Sequence, residues 1–297
     1  SSDDYGLAVF YGSSSTIQLV SPLSKEQVSI NNGGGGNWGA SGGDADINQI
    51  KTIGVPPSSG ETKTTKEGVV RVPGDCTTLQ EAVKRVHGDD RLTTIVVGEG
   101  EHQIDDKYLE IFSVMNIVGD SGVPKEKIVV VGGIHFKKGI QGNCHLQHMT
   151  IRQAKCGGVF GESSFTMDDV LVEQCDNDGM FAIGTGVVGR CTNVEVRQCG
   201  QSGVAASSGA SITLIGAKTT VHHNCTKGYS GDYGLHVLLS AASSTIQLVS
   251  PLTKETVAVD NGGGGNWGVG AHGDINQIKN QIKTIAPLNE TKKKKKK

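Results

Sequence analysis

The sequence is poor in aromatic residues and has no long apolar segment. Phe, Trp and Tyr make up 4% of the 297 residues, whereas glycine occurs 43 times, about twice its usual share. This composition argues against a helical enzyme and favours a turn-rich fold packed with Val, Ile and Leu. No run of 18 apolar residues is present, so the sequence predicts no membrane span.

The sequence also lacks CxxC pairs and a general excess of positive charge. Without a CxxC pair, no zinc site is predicted, and no metal is assigned. Six of the 28 basic residues lie in Lys292–Lys297, and the remaining basic residues are outnumbered by the 30 acidic ones. An acidic body does not predict nucleic-acid binding. The lysine tail is predicted to be disordered and solvated, or alternatively to contact an anionic surface.

Between Asn143 and Gly228 the chain repeats one short pattern four times. Each copy has alternating apolar residues, two polar residues, a cysteine and a glycine turn, in the segments HMTIRQAKCGG, DVLVEQCDNDG, NVEVRQCGQSG and TTVHHNCTKG. A period of about 20–25 residues with one short strand per unit predicts a solenoid. The strands are too close for helical crossovers, which excludes a doubly wound α/β sheet.

Alignment of the four copies predicts which side chains stack, because side chains alternate along a strand. The predicted apolar column contains Ile151, Val172, Val196 and Val221. A mixed column on the other face contains Arg152, Glu173, Arg197 and His222, and the next position gives Gln153, Gln174, Gln198 and His223. The cysteines are predicted to form a ladder of buried thiols, with disulfides between neighbouring rungs as the alternative.

Together with the upstream segment VVRVPGDCTTLQEAVKRVHGDDRLTTIVVGEGEHQI, the repeat resembles the right-handed parallel β-helix, or pectin-lyase-like, superfamily and its generic right-handed β-helix repeats. The resemblance covers about residues 68–285. It implies an all-β fold, a right-handed parallel β-helix solenoid with a short N-terminal capping α-helix. It does not specify an activity, because the superfamily includes lyases, hydrolases, esterases, epimerases and non-enzymatic adhesins.

The capping helix is predicted at about residues 77–87. Leu79, Ala82, Val83 and Val86 recur at helical spacing, and Thr77 or Thr78 can cap the N-terminus. This helix is expected to close one end of the coil. The segments 93–97, 109–118 and 127–131 are predicted to be strands of the early rungs.

A long duplication determines the predicted domain organisation. The segment from Asp4 to Gly39 recurs from Asp232 to Gly268. We therefore predict residues 1–53 as a duplicate copy of the C-terminal rungs, 54–68 as a linker, 69–285 as the β-helix domain and 286–297 as a disordered tail. The duplication indicates a piece of a longer tandem protein, or a device by which units stack end to end through unpaired strand edges.

Enzymes of the resembled superfamily act on acidic polysaccharides with Asp, Lys, Arg or calcium. By this resemblance the candidate catalytic residues are Asp168, Asp169, Glu173, Arg197 and His222. Asp168-Asp169 resembles the adjacent aspartates of polygalacturonases, but their Gly-His-Gly and Arg-x-Lys elements are absent. The signatures of pectin methylesterases are absent too. Adjacent residues also point to opposite faces of a strand unless a bulge intervenes.

Two further features are candidate ligand-binding sites. The GGGGNWG loops carry Trp38 and Trp267, which can stack on a sugar or, alternatively, cap the last rung. The turn at Asp176 and Asp178 has carboxylates that suit Ca²⁺, although DNDG is also an ordinary turn sequence. No other cofactor is predicted.

The resulting hypothesis is a secreted or surface-exposed β-helix that acts as a binding or structural module. Its predicted partner is a polysaccharide or a second copy of itself. Two glycosylation triplets, beginning at Asn224 and Asn289, favour the secretory context. The alternative is a carbohydrate-active lyase, hydrolase or epimerase that acts on an acidic polysaccharide.

Overall fold

The computed structural model describes residues 68–238, 244–270 and 280–287, and the backbone of four strands nearer the N-terminus. The chain divides into two units, Ser1–Thr64 and Thr65–Lys297. In the first unit β1 (Tyr5–Phe10) pairs in parallel with β3 (Gly36–Ser41), and β2 (Ile17–Val20) pairs in parallel with β4 (Ile50–Ile53). The side chains of this unit, including Trp38, lie outside the described residues.

The second unit contains nineteen described strands and two described α-helices. The helices are α1 (Leu79–His87) and α2 (Lys254–Val257), and a 3₁₀ turn covers Lys125–Lys127. The strands are β5 (Val69–Val72), β6 (Thr94–Val97), β7 (Gly100–Ile111), β8 (Asn116–Gly119), β9 (Ile128–Phe136), β10 (Cys144–Arg152), β11 (Val159–Gly161), β12 (Phe165–Glu173), β13 (Met180–Ile183), β14 (Val188–Thr192), β15 (Glu195–Arg197), β16 (Val204–Ser207), β17 (Ser211–Ile215), β18 (Thr220–His222), β19 (Leu235–Val237), β20 (Thr245–Val249), β21 (Ala258–Val259), β22 (Trp267–Val269) and β23 (Ile282–Ile285).

These strands form three parallel walls of a coil. Wall A contains β5, β6, β8, the first halves of β10 and β12, and then β14, β17, β20 and β23. Wall B contains the first halves of β7 and β9, the second halves of β10 and β12, and then β15, β18 and β21. Wall C contains the second halves of β7 and β9, and then β11, β13, β16, β19 and β22. The predicted all-β parallel β-helix is confirmed.

The core fills the space between the walls, in the register that the repeat predicts. Ile151 pairs with Val172, Val172 with Val196, and Val196 with Val221. All four side chains are fully buried. Stacking identical or similar β-branched side chains one rung apart buries apolar area continuously along the axis, which is the main stabilising term of such a coil.

The capping helix α1 packs on the first rungs as predicted. The Thr78 side chain accepts a hydrogen bond from the Glu81 amide at 3.2 Å and caps the helix. The apolar face of α1 belongs to the same core as the strands and consists of Leu79, Ala82, Val83 and Val86.

One strand prediction is wrong. Residues 109–118 do not form a continuous strand, because β7 ends at Ile111 and β8 begins at Asn116. Phe112 and Val114 lie exposed at the corner between them. The apolar run therefore belongs to two walls, and periodicity within the run does not reveal the corner.

The sharp bends between walls A and B and between walls B and C use left-handed backbone. His148, Asp169 and Asn193 have φ of 54°, 52° and 51° at the first bend. The glutamine column lies at the second bend, with φ of 55° at Gln174 and 56° at Gln198. Gln174 donates a hydrogen bond from Nε2 to Gln198 Oε1 at 3.3 Å, so amide stacking runs along the corner of the coil.

Candidate functional site

Three of the predicted catalytic residues form an ion-pair ladder on wall B. Arg197 donates to Glu173 Oε2 from Nε at 2.9 Å and from Nη2 at 2.8 Å, and to Glu195 Oε1 from Nη1 at 2.8 Å. His222 Nε2 lies 3.2 Å from Glu195 Oε1. Burial lowers the pKa of Arg197, but the bonded carboxylates raise it above its ordinary value. The structure thus brings Glu173, Arg197 and His222 together in one network, in which Arg197 pairs with two carboxylates.

The two adjacent aspartates lie at the bend between walls A and B. Both are partly exposed, because the left-handed backbone at Asp169 turns two successive side chains outward. Asp169 contacts Lys125 Nζ and His148 Nδ1, each at 2.7 Å. Burial raises the pKa of Asp169, but these two partners lower it below its ordinary value. Asp169 is therefore held as a carboxylate and is poorly suited to donate a proton.

Trp267 lies at the start of β22, partly buried against the core. Lys254 Nζ lies 5.4 Å from the centre of its ring. Asp176 is exposed in the turn between walls B and C, and Asp178 lies partly buried two residues later. Among the residues with described side chains, no group of three or more His, Cys, Asp and Glu is placed to hold a metal ion. Calcium binding at this turn stays a prediction.

A row of aromatic rings runs along the outer face of wall C. Glu110, His135, Phe160 and Phe181 occupy one outward column on successive rungs. The rings of His135 and Phe160 stack with centroids 4.5 Å apart, and those of Phe160 and Phe181 with centroids 5.6 Å apart. Tyr108 completes the row, with its ring 5.5 Å from that of His135. We call Tyr108, His135, Phe160 and Phe181 the aromatic row.

Charged side chains border the aromatic row at its N-terminal end. His135 Nε2 lies 2.9 Å from Glu162 Oε2, and Lys137 Nζ donates to Glu110 Oε1 at 3.2 Å. Burial lowers the pKa of His135, although Glu162 opposes that shift. The lowered pKa favours the neutral imidazole, and the residue is only 6% exposed, packed between the rings of Tyr108 and Phe160 beside two carboxylates.

Asp178, Ser202, Asp232 and His236 form a second group next to the row, which we call the Asp178 cluster. Asp178 Oδ1 accepts a hydrogen bond from the Ser202 amide at 3.0 Å, and Ser202 Oγ lies 2.9 Å from His236 Nδ1. His236 belongs to the outward column of Phe181, two rungs further along. Oδ2 of Asp232 and Nε2 of His236 are buried and make no hydrogen bond of ordinary geometry within the described ranges, although Ser202 lies close enough to Asp232, and the Gly270 backbone close enough to His236, to affect their pKa values.

Three side chains of the Asp178 cluster have shifted pKa values: Asp178, Asp232 and His236. Burial and the neighbouring charge of Asp232 raise the pKa of Asp178 to about 7. Burial also raises the pKa of Asp232 and lowers that of His236 to about 4. Asp178 is thus a carboxyl that exchanges its proton near neutral pH, a property that often accompanies function but also arises in structural networks.

A cleft of about 720 Å³ lies between α1 and the second half of β7, at the N-terminal end of the row. Tyr108 and Glu110 line both the cleft and the row, and Phe112 is 51% exposed at its edge. The helix contributes Gln80, Lys84 and His87 to its lining.

The sequence reasoning missed the aromatic row and most of the Asp178 cluster. One signal was available: Phe160 and Phe181 follow the glycine turns of two successive repeats at the same position. Tyr108 and His135 come from rungs before the repeat, and Asp232 and His236 follow a longer turn, so alignment of the four copies does not connect them.

All seven cysteines are free thiols; of the four in the repeats, Cys175, Cys199 and Cys225 are buried and Cys156 is partly exposed. Burial raises the pKa of Cys191 and of Cys225 to about 12. The Asn224 amide of the first glycosylation triplet is buried and donates to Val196 O and to Asn261 Oδ1, each at 3.0 Å. In the folded chain Asn224 is a ladder residue that links rungs, while Asn289 lies outside the described residues. No helix in the described ranges is long and apolar enough to cross a membrane.

Comparison with known proteins gives one structural similarity. No protein-family model matches the sequence, and no curated protein matches it. Among solved structures the chain is similar to the catalytic domain of a GH87 alpha-1,3-glucanase in complex with nigerose, with 14% sequence identity and a TM-score of 0.33. The match covers 66% of this chain and 47% of that structure. The chain therefore spans about half the length of the glucanase domain. At this score the similarity carries no inference about what the chain binds.

Proposed function

We propose that the protein is a binding module that holds a carbohydrate chain along wall C. The observation that carries the proposal is the aromatic row, in which flat rings repeat at the rung spacing beside carboxylates. The rings stack on one another along the axis, so their edges rather than their faces point outward. The apolar C–H faces of sugar rings would pack across those edges, while their hydroxyl groups donate hydrogen bonds to carboxylates. From Glu110 to Phe181 the column covers three rung steps, about 14 Å at ~4.8 Å per rung, which suits an extended chain rather than a single sugar.

The charges of wall C favour a neutral or amino-bearing glycan over a uronic-acid polymer. Glu110 and Glu162 lie along the row, and the charge of Asp178 lies near Tyr108. Of the two nearby lysines, Lys137 is paired with Glu110, and Lys107 Nζ lies 5.9 Å from the centre of the Tyr108 ring at the N-terminal end. An anionic polymer would meet like charges there, which costs binding free energy. An ammonium group would instead be attracted by the carboxylates of Glu110 and Glu162.

Binding is tested by titrating the full chain with a neutral glucan, a partly deacetylated chitin and polygalacturonate. We expect the Phe160→Ala and Phe181→Ala variants to weaken binding of the preferred polymer about two- to tenfold each, because one aromatic contact is worth about 0.5–1.5 kcal/mol. The matched control is Val188→Ala, an exposed apolar residue on wall A. Equal affinities for all four proteins, or binding only to polygalacturonate, would contradict the proposal.

A carbohydrate-active enzyme is the second candidate function, and the Asp178 cluster favours it. A carboxyl that is half-protonated near neutral pH can serve as a general acid, and Asp232 is a neighbouring carboxyl that can act as its counterpart. The reaction class would be hydrolysis of a glycosidic bond on the polymer held by the row. Release of reducing ends that disappears in Asp178→Asn, with binding retained, would establish the enzyme; binding without turnover in the unmodified chain would establish the module.

We propose a secreted or cell-surface location, since an extracellular polysaccharide would be accessible there. The support is the function proposed for wall C rather than the Asn224 triplet, whose amide is engaged inside the fold. Fractionation of the source cells tests this, and recovery of the chain only from the cell interior would overturn it.

A further inference from the structure

The duplicated segments share strand pairing as well as sequence. In the first unit Leu7 of β1 pairs with Trp38 of β3, and in the second unit Leu235 of β19 pairs with Trp267 of β22. The sequence duplication aligns Leu7 with Leu235 and Trp38 with Trp267. The register of wall C is therefore the same in both copies.

The same holds for the second pair of strands. Ile17 of β2 pairs with Ile50 of β4, and Ile246 of β20 pairs with Ile282 of β23. Ile17 aligns with Ile246, and both IKTI segments are directly preceded by Asn-Gln. The strands β1 to β4 thus have the backbone pairing of β19, β20, β22 and β23, with β1 and β2 in the positions of β19 and β20.

The two copies differ in what lies on the other side of these strands. β19 and β20 each have a second neighbour, β16 and β17. Among the strands that the structure describes, β1 and β2 pair only with β3 and β4. Two-stranded sheets are marginally stable in water, and an unpaired edge is a template for another strand. The first unit therefore offers one edge on which a preceding rung fits.

A complementary edge lies at the other end of the second unit. Within the described ranges β22 and β23 pair only with β19 and β20. This edge belongs to walls C and A, the same two walls to which β1 and β2 correspond. In a continued coil, Leu7 and Val9 take the register positions after Trp267 and Val269, so apolar residues follow apolar residues.

We propose that the chain assembles head to tail, with β1 and β2 of one molecule added in parallel to β22 and β23 of a second copy. Each junction then continues the solenoid by two rungs. Such a contact is heterologous, since the two surfaces differ, and it forms open chains rather than closed dimers unless the rotation closes a ring.

Backbone hydrogen bonds identify residues that test the junction without altering the rungs already paired. Thr245 N donates to Ala210 O, so the backbone N–H of Thr245 in β20 points towards β17. Backbone N–H groups alternate in direction along a strand, so the N–H of Gln247 also points towards β17. Gln18 aligns with Gln247, and its N–H therefore faces the unpaired edge of β2. Ser250 N donates to Ile285 O, so the backbone groups of Ile285 point towards β20. By the same alternation, the N–H of the neighbouring Thr284 points towards the unpaired edge of β23.

The first measurement is the mass of the full chain by light scattering over a concentration series. We expect multiples of the 31.0 kDa chain mass that grow with concentration. The Gln18→Pro and Thr284→Pro variants each lack one edge donor, and we expect both to remain monomeric. The matched controls Gln18→Val and Thr284→Val keep the backbone N–H and are expected to assemble. Thr284→Val also removes the hydrogen bond from Thr284 Oγ1 to Leu252 O, as Thr284→Pro does, so the loss of that bond cannot explain a difference between the two variants.

Mixing the two proline variants gives the decisive result. Gln18→Pro retains the intact edge of β22 and β23, and Thr284→Pro retains the intact edge of β1 and β2. An equimolar mixture should therefore form one junction per pair of molecules, giving a dimer of twice the monomer mass that grows no further. Circular dichroism checks that each variant keeps its β-helix; if one does not, the other variant against its valine control decides. A monomeric unmodified chain at every concentration, or proline variants that assemble like their controls, would overturn the proposal.

Discussion

Arg197 and Glu173 lie one rung apart on wall B, and both Nε and Nη2 of the arginine donate to a single carboxylate oxygen, Oε2. The glutamate is only 8% exposed. A buried carboxylate needs such partners, because an ionised group that loses them retains its desolvation cost. The pair therefore stabilises the register between the second half of β12 and β15.

We expect Arg197→Ala to lower the free energy of unfolding by about 2 kcal/mol, because it leaves the Glu173 carboxylate without its bidentate partner. Arg91→Ala is the matched control, since Arg91 is 87% exposed in its pair with Asp89 and such surface pairs contribute about 0–1 kcal/mol. Both values come from denaturant unfolding monitored by circular dichroism. Similar losses for the two variants would contradict a structural role for the wall B pair.

The Asp178 carboxyl is expected to make stability fall as the pH rises. Its pKa is 3.8 in an ordinary setting and about 7 in the fold, so the folded chain favours the protonated form. This contribution is complete below about pH 3.8 and is lost as the pH rises through about 7. His236 acts in the opposite sense, because its lowered pKa favours the neutral ring, whose contribution is lost as the pH falls through about 4.

Comparison with Asp178→Asn isolates the aspartate, since the amide oxygen can still accept from the Ser202 amide. We expect the variant to gain stability relative to the unmodified chain by on the order of 3 kcal/mol between pH 4 and pH 8. The measurement is the free energy of unfolding at a series of pH values. A difference that does not change with pH would show that Asp178 titrates normally.

Gly179 lies where the chain passes from the second bend into wall C, and its neighbours leave no room for a side chain. A Cβ there would lie 2.3 Å from Val196 Cγ1 and 2.7 Å from the Gly203 carbonyl oxygen. We expect Gly179→Ala to destabilise the protein by about 3 kcal/mol or more, because neither neighbour can withdraw without breaking the stack. Gly122→Ala is the control, since its Cβ would meet only the Asp120 side chain at 3.4 Å. Thermal unfolding of both variants measures the contrast, and equal melting temperatures would refute it.

The thiols are expected to differ sharply in reactivity. Only Cys156 is partly exposed, whereas the other six are buried. The thiolate is the reactive form, and a pKa of about 12 at Cys191 and Cys225 leaves little of it at pH 8. We expect iodoacetamide to modify one cysteine in the native chain and seven after denaturation, as counted by mass spectrometry. Cys156→Ser should take up no label when folded; rapid labelling of several native thiols would contradict the buried ladder.

Periodicity predicted the repeats well because a strand determines its own alternation. Val172 and Val196 each lie three residues before a cysteine, and Glu173 and Arg197 each lie two residues before one, so the count from the cysteine placed both pairs in register. Ile151 lies five residues before Cys156, and its place in the column follows from the alternation of apolar residues in its strand. It also identified the capping helix, because an amphipathic pattern and a threonine cap are local signals. The corner at Phe112 was not predicted, because the apolar run continues through the bend without a change of composition, so no local signal marks the end of the strand.

The candidate site depended on contacts between rungs. Asp168 and Asp169 are adjacent in sequence, yet the left-handed backbone at Asp169 decides that both side chains face outward. Asp178 and Asp232 lie in different turns, and only the stacking of those turns buries Asp178 and places Asp232 beside it, which together raise the pKa of Asp178. Turn length varies between rungs, so sequence spacing does not determine which turn residues meet.

By itself the sequence determined the coil, its inward columns and its capping helix, because alternation, helical spacing and glycine turns act over a few neighbouring residues. The tertiary structure alone decided that wall C carries a continuous row of rings from Tyr108 to Phe181, ending beside Ser202 and His236. Each rung contributes only one or two of those residues. Their proximity arises from parallel stacking at about 4.8 Å, a distance that has no counterpart along the chain.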